Sequence, residues 1–285
     1  MSKVGLVLEG GALRTIFSAG ACDGFLDMGL PMPDYVVGVS AGITYGVSYI
    51  SRQRGRNLEL VARFADDKRY MGLRNLLNPF NRAYFGLRFA YEVVPEKLVP
   101  FDSETYSRFP GQVEVGLTNL ETGLAEFREL DISDKRNTLL KATCAMPLLF
   151  PVFTIDGQPY MDGGSAAAIP YQRALDAGCD KLIVILTRER SYRREPEKLQ
   201  KLIDVRYRRY PKFCEVMRRR HQTYNADRER LFQLEKEGKA FIFAPDSTEG
   251  YSRVERDVEK ITALWQSGLD QALARKEELL EYLNG

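Results

Sequence analysis

Short apolar runs and longer stretches with helical spacing alternate through the N-terminal half of the chain. Residues 4–9 and 35–39 are almost continuously apolar, which predicts strands buried on both faces of a parallel sheet. Each run is followed by a turn of small residues and then by a largely apolar helical stretch, 13–28 or 41–50. This order predicts an α/β fold with a mainly parallel, doubly wound central sheet. Both turns then lie at the carboxyl edge of the sheet, where such folds bind ligands.

The rest of the chain has less regular spacing. Strands are predicted at 112–119, 124–129, 153–156, 159–161, 181–187 and 240–244. A short helix is predicted at 171–177, several basic helices fill 196–236, and 254–283 is predicted to be helical. Another helix is predicted to start at a Ser133 N-cap and to run through Ala145 before Pro147. Two or three helices within 54–106 either cap the site or lie at its periphery.

The domain organisation is predicted to be simple. No stretch rich in Pro, Gly or Ser separates the predicted elements. A single domain over residues 1–285 is therefore predicted, with a core of about 4–190. Basic helices, a strand and further helices follow it at 191–285.

Residues 38–42 read Gly-Val-Ser-Ala-Gly and lie where the second predicted strand meets its helix. A serine in a Gly-x-Ser-x-Gly turn sits on a sharp bend, because Gly38 and Gly42 lack Cβ atoms that would clash there. The bend pushes the Ser40 hydroxyl outward at a helix N-terminus, where unpaired N–H groups and the helix dipole favour negative charge. Ser40 is therefore a candidate nucleophile. The alternative is a strand–helix turn that merely needs small residues.

Composition indicates a soluble globular protein, with 44% hydrophobic and 28% charged residues. No apolar run reaches the roughly 18 residues of a membrane span, and the N-terminus lacks a signal-peptide pattern. The four cysteines are far apart and the chain has one histidine, so a zinc site is not expected and no cofactor is predicted. A reducing, cytoplasmic location is expected, with the cysteines as small core residues.

Positive charge is concentrated in one part of the chain. Residues 186–230 hold 15 Lys and Arg against 7 Asp and Glu, whereas the remainder holds 26 against 32. This excess predicts a basic face that meets anionic lipid head groups at the inner membrane face, or nucleic acid. Alternatively, the arginines only solvate long helices. Nucleic acid is disfavoured because core packing explains the aromatic residues of the segment, which are Tyr192, Tyr207, Tyr210, Phe213 and Tyr224.

A serine nucleophile needs a base, and two candidates are present. His221 is the only histidine, and the order Ser40, Asp162, His221 is that of the α/β-hydrolase triad. Against that triad, only one predicted strand precedes the serine motif, and three arginines directly before His221 disfavour its protonated form. Asp162 precedes Gly163 and Gly164, which let the backbone approach another turn closely, so this aspartate can act on the serine directly. An ordinary Asp-Gly-Gly turn is the alternative.

The first predicted strand ends in another turn of small residues, Gly10, Gly11 and Ala12, followed by Arg14 at a helix start. Such a turn leaves successive N–H groups unpaired and convergent, which predicts an oxyanion hole. One donor of such a hole contributes roughly 3–4 kcal/mol. A phosphate-binding turn is the competing use. Nucleotide binding is disfavoured because the turn has neither a Gly-x-Gly-x-x-Gly nor a Gly-Lys-Ser/Thr pattern.

In this order, the three motifs resemble those of the patatin-like phospholipase family. The resemblance covers roughly residues 4–190, and the C-terminal part is similar to a bacterial subgroup of patatin-like proteins. The matching segments are 10–14, 38–42 and 162–164, with support from 141–147 through 169–170. The resemblance implies a three-layer α/β/α fold and hydrolysis of acyl esters of phospholipids, lysophospholipids or neutral lipids. It also implies a Ser–Asp dyad without histidine.

Carried onto this chain, the resemblance makes Ser40 the nucleophile and Asp162 the base. The N–H groups of the 10–12 turn would form the oxyanion hole. Two positions depart from the family pattern, because Ala12 replaces the third glycine of the turn and Thr15 the last. If position 12 has a positive φ, alanine strains it by about 1 kcal/mol or more.

We therefore predict a serine acyl-ester hydrolase that acts on lipids through a Ser–Asp dyad. Two alternatives are kept. One is a catalytically weak or inactive lipid-binding or regulatory protein on the same fold. The other is a Ser–Asp–His triad esterase that uses His221.

Overall fold

A central sheet organises the computed structural model, which describes residues 2–285. The strands are β1 Val4–Leu8, β2 Tyr35–Val39, β3 Gln112–Asn119, β4 Ala125–Glu129, β5 Phe153–Ile155, β6 Gln158–Asp162, β7 Lys181–Ile185 and β8 Ala240–Phe243. Their order is β5-β6-β3-β2-β1-β7-β8, and β4 also pairs with β3. The pairs from β3 through β2, β1 and β7 to β8 are parallel, whereas β4, β5 and β6 pair antiparallel. The predicted mainly parallel α/β sheet is confirmed.

Helices cover both faces of the sheet. They are α1 Ile16–Asp27, α2 Ala41–Ile50, α3 Arg56–Phe64, α4 Leu73–Leu77, α5 Ser103–Ser107, α6 Thr138–Thr143, α7 Tyr171–Asp176, α8 Gln200–Arg206, α9 Pro211–Lys236, α10 Val258–Ala274 and α11 Lys276–Asn284. A π-helical segment, Phe89–Leu98, precedes α5. Within residues 2–285, no helix combines the length and apolarity needed to cross a bilayer.

Alternate residues of the strands explain the three layers. Leu6 and Leu8 of β1 pack in a cluster with α1, α2 and α10, whereas Val7 packs on the opposite face with α7 and α9. Since side chains alternate along a strand, a strand covered on both faces must be apolar at every position. This is why 4–8 and 35–39 are continuous apolar runs. The four cysteines are free and buried, as expected of core residues.

Three predicted element boundaries differ from the structure. The helix predicted from residue 13 begins with a 3₁₀ turn, Ala12–Thr15, and α1 starts only at Ile16. Ser133 caps no helix, because its hydroxyl and N–H bond to Asp131 and α6 starts after Asn137. The helix predicted over 254–283 is two helices, α10 and α11.

Two glycines allow the backbones of α1 and α10 to pack in direct contact. A Cβ on Gly20 would lie 1.9 Å from the carbonyl oxygen of Trp265, and one on Gly268 would lie 2.1 Å from that of Phe17. Because backbone atoms cannot rotate away, no side chain fits at this contact without separating the two helices.

Gly20→Ala is expected to lower the free energy of unfolding by about 3 kcal/mol, since it forces α1 and α10 apart. Urea unfolding followed by circular dichroism measures the change. Thr262→Ala, on the exposed face of α10, is the control and is expected to stay within about 0.5 kcal/mol of wild type. An equal stability of Gly20→Ala and wild type would contradict the packing argument. The same curve tests the single-domain prediction, for which one transition is expected.

Candidate active site

The pairing of β3 brings the ends of β2 and β6 together. β2 runs parallel beside β3 and is last paired at Val39, opposite Gly116. From the next residue on, β6 takes the place of β2 along this edge of β3, with Asp162 opposite Leu117. Ser40 directly follows β2 and Asp162 ends β6, so the sheet register itself places the two side chains side by side.

Ser40 lies on a strained bend between β2 and α2. Its φ of 54° and ψ of −139° are rarely adopted by a residue with a side chain and cost about 1–3 kcal/mol. The flanking glycines leave room for the bend. A Cβ on Gly42 would lie 2.7 Å from the carbonyl oxygens of Leu8 and Glu9, and one on Gly38 would lie 3.0 Å from the amide nitrogen of Ile43. The Gly-x-Ser-x-Gly motif therefore forms the sharp bend that the sequence predicted for it.

Hydrogen bonds fix the two side chains relative to each other. The hydroxyl of Ser40 donates to Asp162 Oδ2 at 2.9 Å, and the N–H of Gly164 donates to Oδ1 at 2.8 Å. Ser40 and Asp162 are 7% and 5% exposed. A Cβ on Gly163 would lie 2.1 Å from the carbonyl oxygen of Gly116, so this glycine permits the close approach of the Asp162 turn to β3.

Thr143 supports the bend from α6. Its hydroxyl accepts the N–H of Ser40 at 2.8 Å and donates to the carbonyl oxygen of Gly116 at 2.6 Å. The threonine is fully buried and thus ties the nucleophile bend to β3. Its role was not predicted, because a threonine near the end of a helix has no distinguishing sequence pattern.

The environment of Asp162 is largely desolvated. Burial raises the pKa of Asp162 above its ordinary value of 3.8. Four neighbours oppose that rise in the pKa, first the charge of Arg220, then the Ser40 hydroxyl and the Gly164 N–H, and last the charge of Arg253. Arg220 also donates from Nε to the carbonyl oxygen of Gly164 at 2.8 Å. The contact of Arg220 with the Asp162 turn was not predicted from the sequence, where this arginine was considered only as a neighbour of His221.

The turn after β1 lies against the nucleophile. A Cβ on Gly10 would be 2.9 Å from the Cβ of Ser40. The Gly10 N–H donates a long hydrogen bond to the carbonyl oxygen of Ala168, at 3.4 Å. By contrast, the N–H groups of Gly11 and Ala12 have no acceptor in the described part of the chain. These two N–H groups are the open donors of the turn.

The two departures from the family pattern have different consequences. Ala12 has a φ of 50°, so the strain of about 1 kcal/mol or more anticipated for an alanine applies. Thr15 is fully buried, and its hydroxyl has no hydrogen-bond partner among residues 2–285. Arg14 is also buried, and its Nε lacks a partner in the same range.

A cavity of about 510 Å³ opens beside Ser40. Part of its wall comes from the 54–106 segment, which includes Tyr70, Phe85 and Tyr91. Residues of this segment thus contribute directly to the wall of the site. The cavity is mostly apolar, as in pockets that bind the hydrocarbon part of a ligand.

His221 lies on α9 and is not hydrogen-bonded to Ser40 or Asp162. Its Nδ1 is buried and has no hydrogen-bond partner within the described residues 2–285. The structure therefore brings Ser40 next to Asp162, and it does not join the histidine to them.

Two family models match parts of this chain. A model described as Patatin-like phospholipase matches residues 6–175, and one described as a domain of unknown function, DUF6363, matches 210–284. The uncharacterized protein YjjU of Escherichia coli strain K12 is 28% identical over an alignment of 201 residues, and the match covers 65% of this chain and 52% of YjjU. This chain thus spans about half the length of that relative.

A solved structure shares the fold. The crystal structure of VipD from Legionella pneumophila matches 96% of this chain and 66% of its own, with a TM-score of 0.51 and 12% identity. The three-layer arrangement predicted from the sequence is thereby confirmed. Since the phospholipase model spans more than half of the residues, the chain belongs to the patatin-like phospholipase family.

Proposed function

We propose that this protein hydrolyses acyl esters of lipids, with Ser40 as the nucleophile and Asp162 as the base. Family membership supports lipid acyl hydrolysis in general. The observation that carries the finer proposal is the 2.9 Å hydrogen bond from the Ser40 hydroxyl to Asp162 Oδ2, at the wall of an apolar cavity. A hydroxyl and a carboxylate at this separation can exchange a proton directly.

The reaction proceeds in two halves. Asp162 Oδ2 accepts the proton of Ser40 as Oγ attacks the ester carbonyl carbon, and the N–H groups of Gly11 and Ala12 stabilise the oxyanion. Collapse of the intermediate breaks the ester C–O bond, and protonated Asp162 returns its proton to the departing alcohol. Water then attacks the acyl-serine with Asp162 again as base, and the acid and free Ser40 are released. The Gly164 N–H keeps Oδ1 occupied, which leaves Oδ2 directed at the serine.

The proposal is tested on purified protein with p-nitrophenyl butyrate and a lysophospholipid. Ester cleavage well above the rate of a heat-inactivated sample is expected for both. Binding of lysophospholipid without turnover would instead favour the lipid-binding alternative. That alternative has support in the positive φ of Ala12, which strains the oxyanion turn.

The activity is expected to rise with pH as Asp162 ionises. Because burial raises the pKa of Asp162, the acidic limb of kcat/KM is expected to have its midpoint above 3.8. Arg220→Gln removes a charge that lowers this pKa, so the midpoint is expected to move further up. Arg219→Gln, one residue away and exposed, is the control and leaves the midpoint unchanged. A midpoint at or below 3.8 would contradict the role of Asp162.

A second proposal concerns contact with a membrane. Leu199, Leu202 and Val205, at or beside α8, are 54%, 52% and 69% exposed. Exposed cations surround them, namely Lys198, Lys201, Arg206, Arg208 and Arg209. Apolar side chains among cations fit an anionic lipid surface, at about 1 kcal/mol for each nearby cation. We propose that α8 makes this contact.

Two structural details support α8, rather than the whole basic face predicted for 186–230, as the proposed membrane contact. Several basic residues elsewhere in 186–230 are neutralised by ion pairs, as between Arg190 and Glu235 and between Arg230 and Glu237. In addition, Tyr207, which follows α8, accepts the N–H of Leu148 at 3.0 Å. The residues on either side of Leu148 include two that line the cavity, Met146 and Phe150. Contact through α8 would bring lipid close to that wall.

Liposome flotation tests the contact. Binding to vesicles with anionic lipid is expected, with little binding to zwitterionic vesicles. Leu202→Asp is expected to weaken binding about tenfold, because it removes an apolar anchor and adds a repelled charge. Leu273→Asp, at an exposed leucine of α10, is the control and is expected to bind normally. Equal loss in both variants would argue against a specific role of α8.

A further inference from the structure

Five arginines converge on the carboxyl edge of the sheet beside the Ser40–Asp162 pair. They come from separate parts of the chain: the 3₁₀ turn after β1, the loops after β7 and β8, and α9. The carbonyl oxygen of Arg253 accepts the N–H of Leu13 at 3.2 Å, which holds the loop after β8 against the turn after β1. We call this set the arginine cluster, and its members are Arg14, Arg188, Arg194, Arg220 and Arg253.

The guanidinium groups are close enough to repel one another. Burial, followed by the charges of Arg188 and Arg253, lowers the pKa of Arg14 to about 10. Burial likewise lowers the pKa of Arg220 to about 9, with Arg194 as the next cause. These neighbours share one site, since like charges must lie near each other to have this effect.

The cluster has donors that the protein leaves unused. Arg14 Nε and Arg188 Nε are buried without a hydrogen-bond partner within residues 2–285. Arg194 and Arg188 lie over the rings of Tyr224 and Tyr192, at 5.3 and 4.3 Å from the ring centres. None of the five forms an ion pair within the described chain, whereas other arginines of α9 do.

The acidic groups nearby do not balance this charge. Glu9 accepts hydrogen bonds from the Tyr224 hydroxyl and the Thr187 N–H, so its two oxygens are already engaged. Asp162 is held by Ser40 and Gly164. The carboxylate of Glu197 lies near enough to Arg220 and Arg253 to interact with their charges. Glu189, next to Arg188, accepts a hydrogen bond from the Thr248 hydroxyl. Five cations thus face four carboxylates, which leaves an excess of positive charge and open N–H donors.

We propose that the arginine cluster binds the phosphate monoester of a lipid headgroup while the acyl chain occupies the cavity. Guanidinium forks match phosphate oxygens, and several together favour a doubly charged phosphate over a phosphocholine, whose cationic end they repel. The cavity and the arginine cluster lie close enough together for one lipid molecule to occupy both. Leu13 lines the cavity while the next residue, Arg14, belongs to the cluster. The inference rests on the proposed function because it names the substrate class of the same site.

Binding to the Ser40→Ala variant tests the subsite without turnover. The probes are octanoyl lysophosphatidic acid, octanoyl lysophosphatidylcholine, monooctanoylglycerol and inorganic phosphate, measured by isothermal titration calorimetry. Lysophosphatidic acid is expected to bind at least about tenfold more tightly than each of the others. Equal binding of lysophosphatidic acid and monooctanoylglycerol would overturn the subsite. Inorganic phosphate binding as tightly as lysophosphatidic acid would overturn its assignment to a lipid headgroup.

Variants made on the Ser40→Ala background identify the residues. Arg253→Gln and Arg194→Gln are each expected to weaken lysophosphatidic acid binding about tenfold and monooctanoylglycerol binding less than about twofold. Arg253→Lys keeps the charge without the planar fork and is expected to fall between Arg253→Gln and Arg253. Arg219→Gln, exposed and paired with Glu215, is the matched control and is expected to bind like the background. Equal loss for both lipids would overturn the proposal.

The subsite and the proposed function fail in different ways. If the wild-type protein cleaves no ester while the phosphate preference persists, the hydrolase proposal fails and the subsite stands. If ester cleavage is found without phosphate preference in Ser40→Ala, only the subsite fails.

Discussion

Ser40→Ala is expected to lower kcat for lysophospholipid hydrolysis at least ~10⁴-fold. The hydroxyl is the only group that this change removes, and no acyl-enzyme can form without it. Steady-state kinetics measure the loss, and circular dichroism checks that the fold is retained. Because the strained φ of 54° at position 40 remains, the thermal stability is expected to change little.

Retention of full activity in Ser40→Ala would contradict the proposed nucleophile. Ser48→Ala is the matched control, since this serine lies on α2, the helix that follows Ser40, is also buried, and bonds to Asn57 rather than to Asp162. It is expected to keep kcat within about twofold of wild type.

Asp162→Asn is expected to lower kcat about 10³- to 10⁴-fold and, at pH 7, to raise the melting temperature. The amide can accept the Gly164 N–H as Oδ1 does, yet it cannot take the proton of Ser40. The stability gain follows from the raised pKa of Asp162. The unfolded carboxyl ionises at a lower pH than the folded one, so stability falls as pH rises from 3.8 through the folded value.

The melting temperatures therefore have a defined pH dependence. Below the ordinary pKa of 3.8 both states of wild type hold the proton on Asp162, and the advantage of Asp162→Asn is expected to vanish. Thermal unfolding of both proteins at pH 3.5 and pH 7 measures this difference. A lower melting temperature of Asp162→Asn at pH 7, or unchanged kcat, would contradict the assignment.

His221→Ala distinguishes the dyad from the triad alternative. Its kcat is expected to stay within about twofold of wild type, because His221 forms no hydrogen bond to Ser40 or Asp162 in the described chain. Loss of activity with the fold intact would favour the triad.

Local sequence patterns predicted much of the candidate site. The small residues around Ser40 and after Asp162 are demanded by close backbone approaches, and such requirements are visible in sequence because only glycine meets them. Alternation of apolar strands and helices was enough to predict the α/β sheet. Both kinds of signal depend on neighbours along the chain.

Contacts between distant segments could not be predicted in this way. Thr143 reaches Ser40 across 103 positions and Arg220 reaches Gly164 across 56. β6 follows β2 along the same edge of β3, and this arrangement depends on strand register, which no local sequence pattern indicates. The 3₁₀ turn before α1 was missed for a similar reason, since both backbone groups of Leu13 are held by the distant 251–253 loop.

The direct test of the Ser–Asp dyad is covalent labelling with a fluorophosphonate, followed by peptide mapping and rate measurement. Rapid labelling at Ser40 is expected in wild type and in His221→Ala, with labelling slowed at least about 10²-fold in Asp162→Asn. Labelling at another residue, or a rate that depends on His221 and not on Asp162, would contradict the dyad.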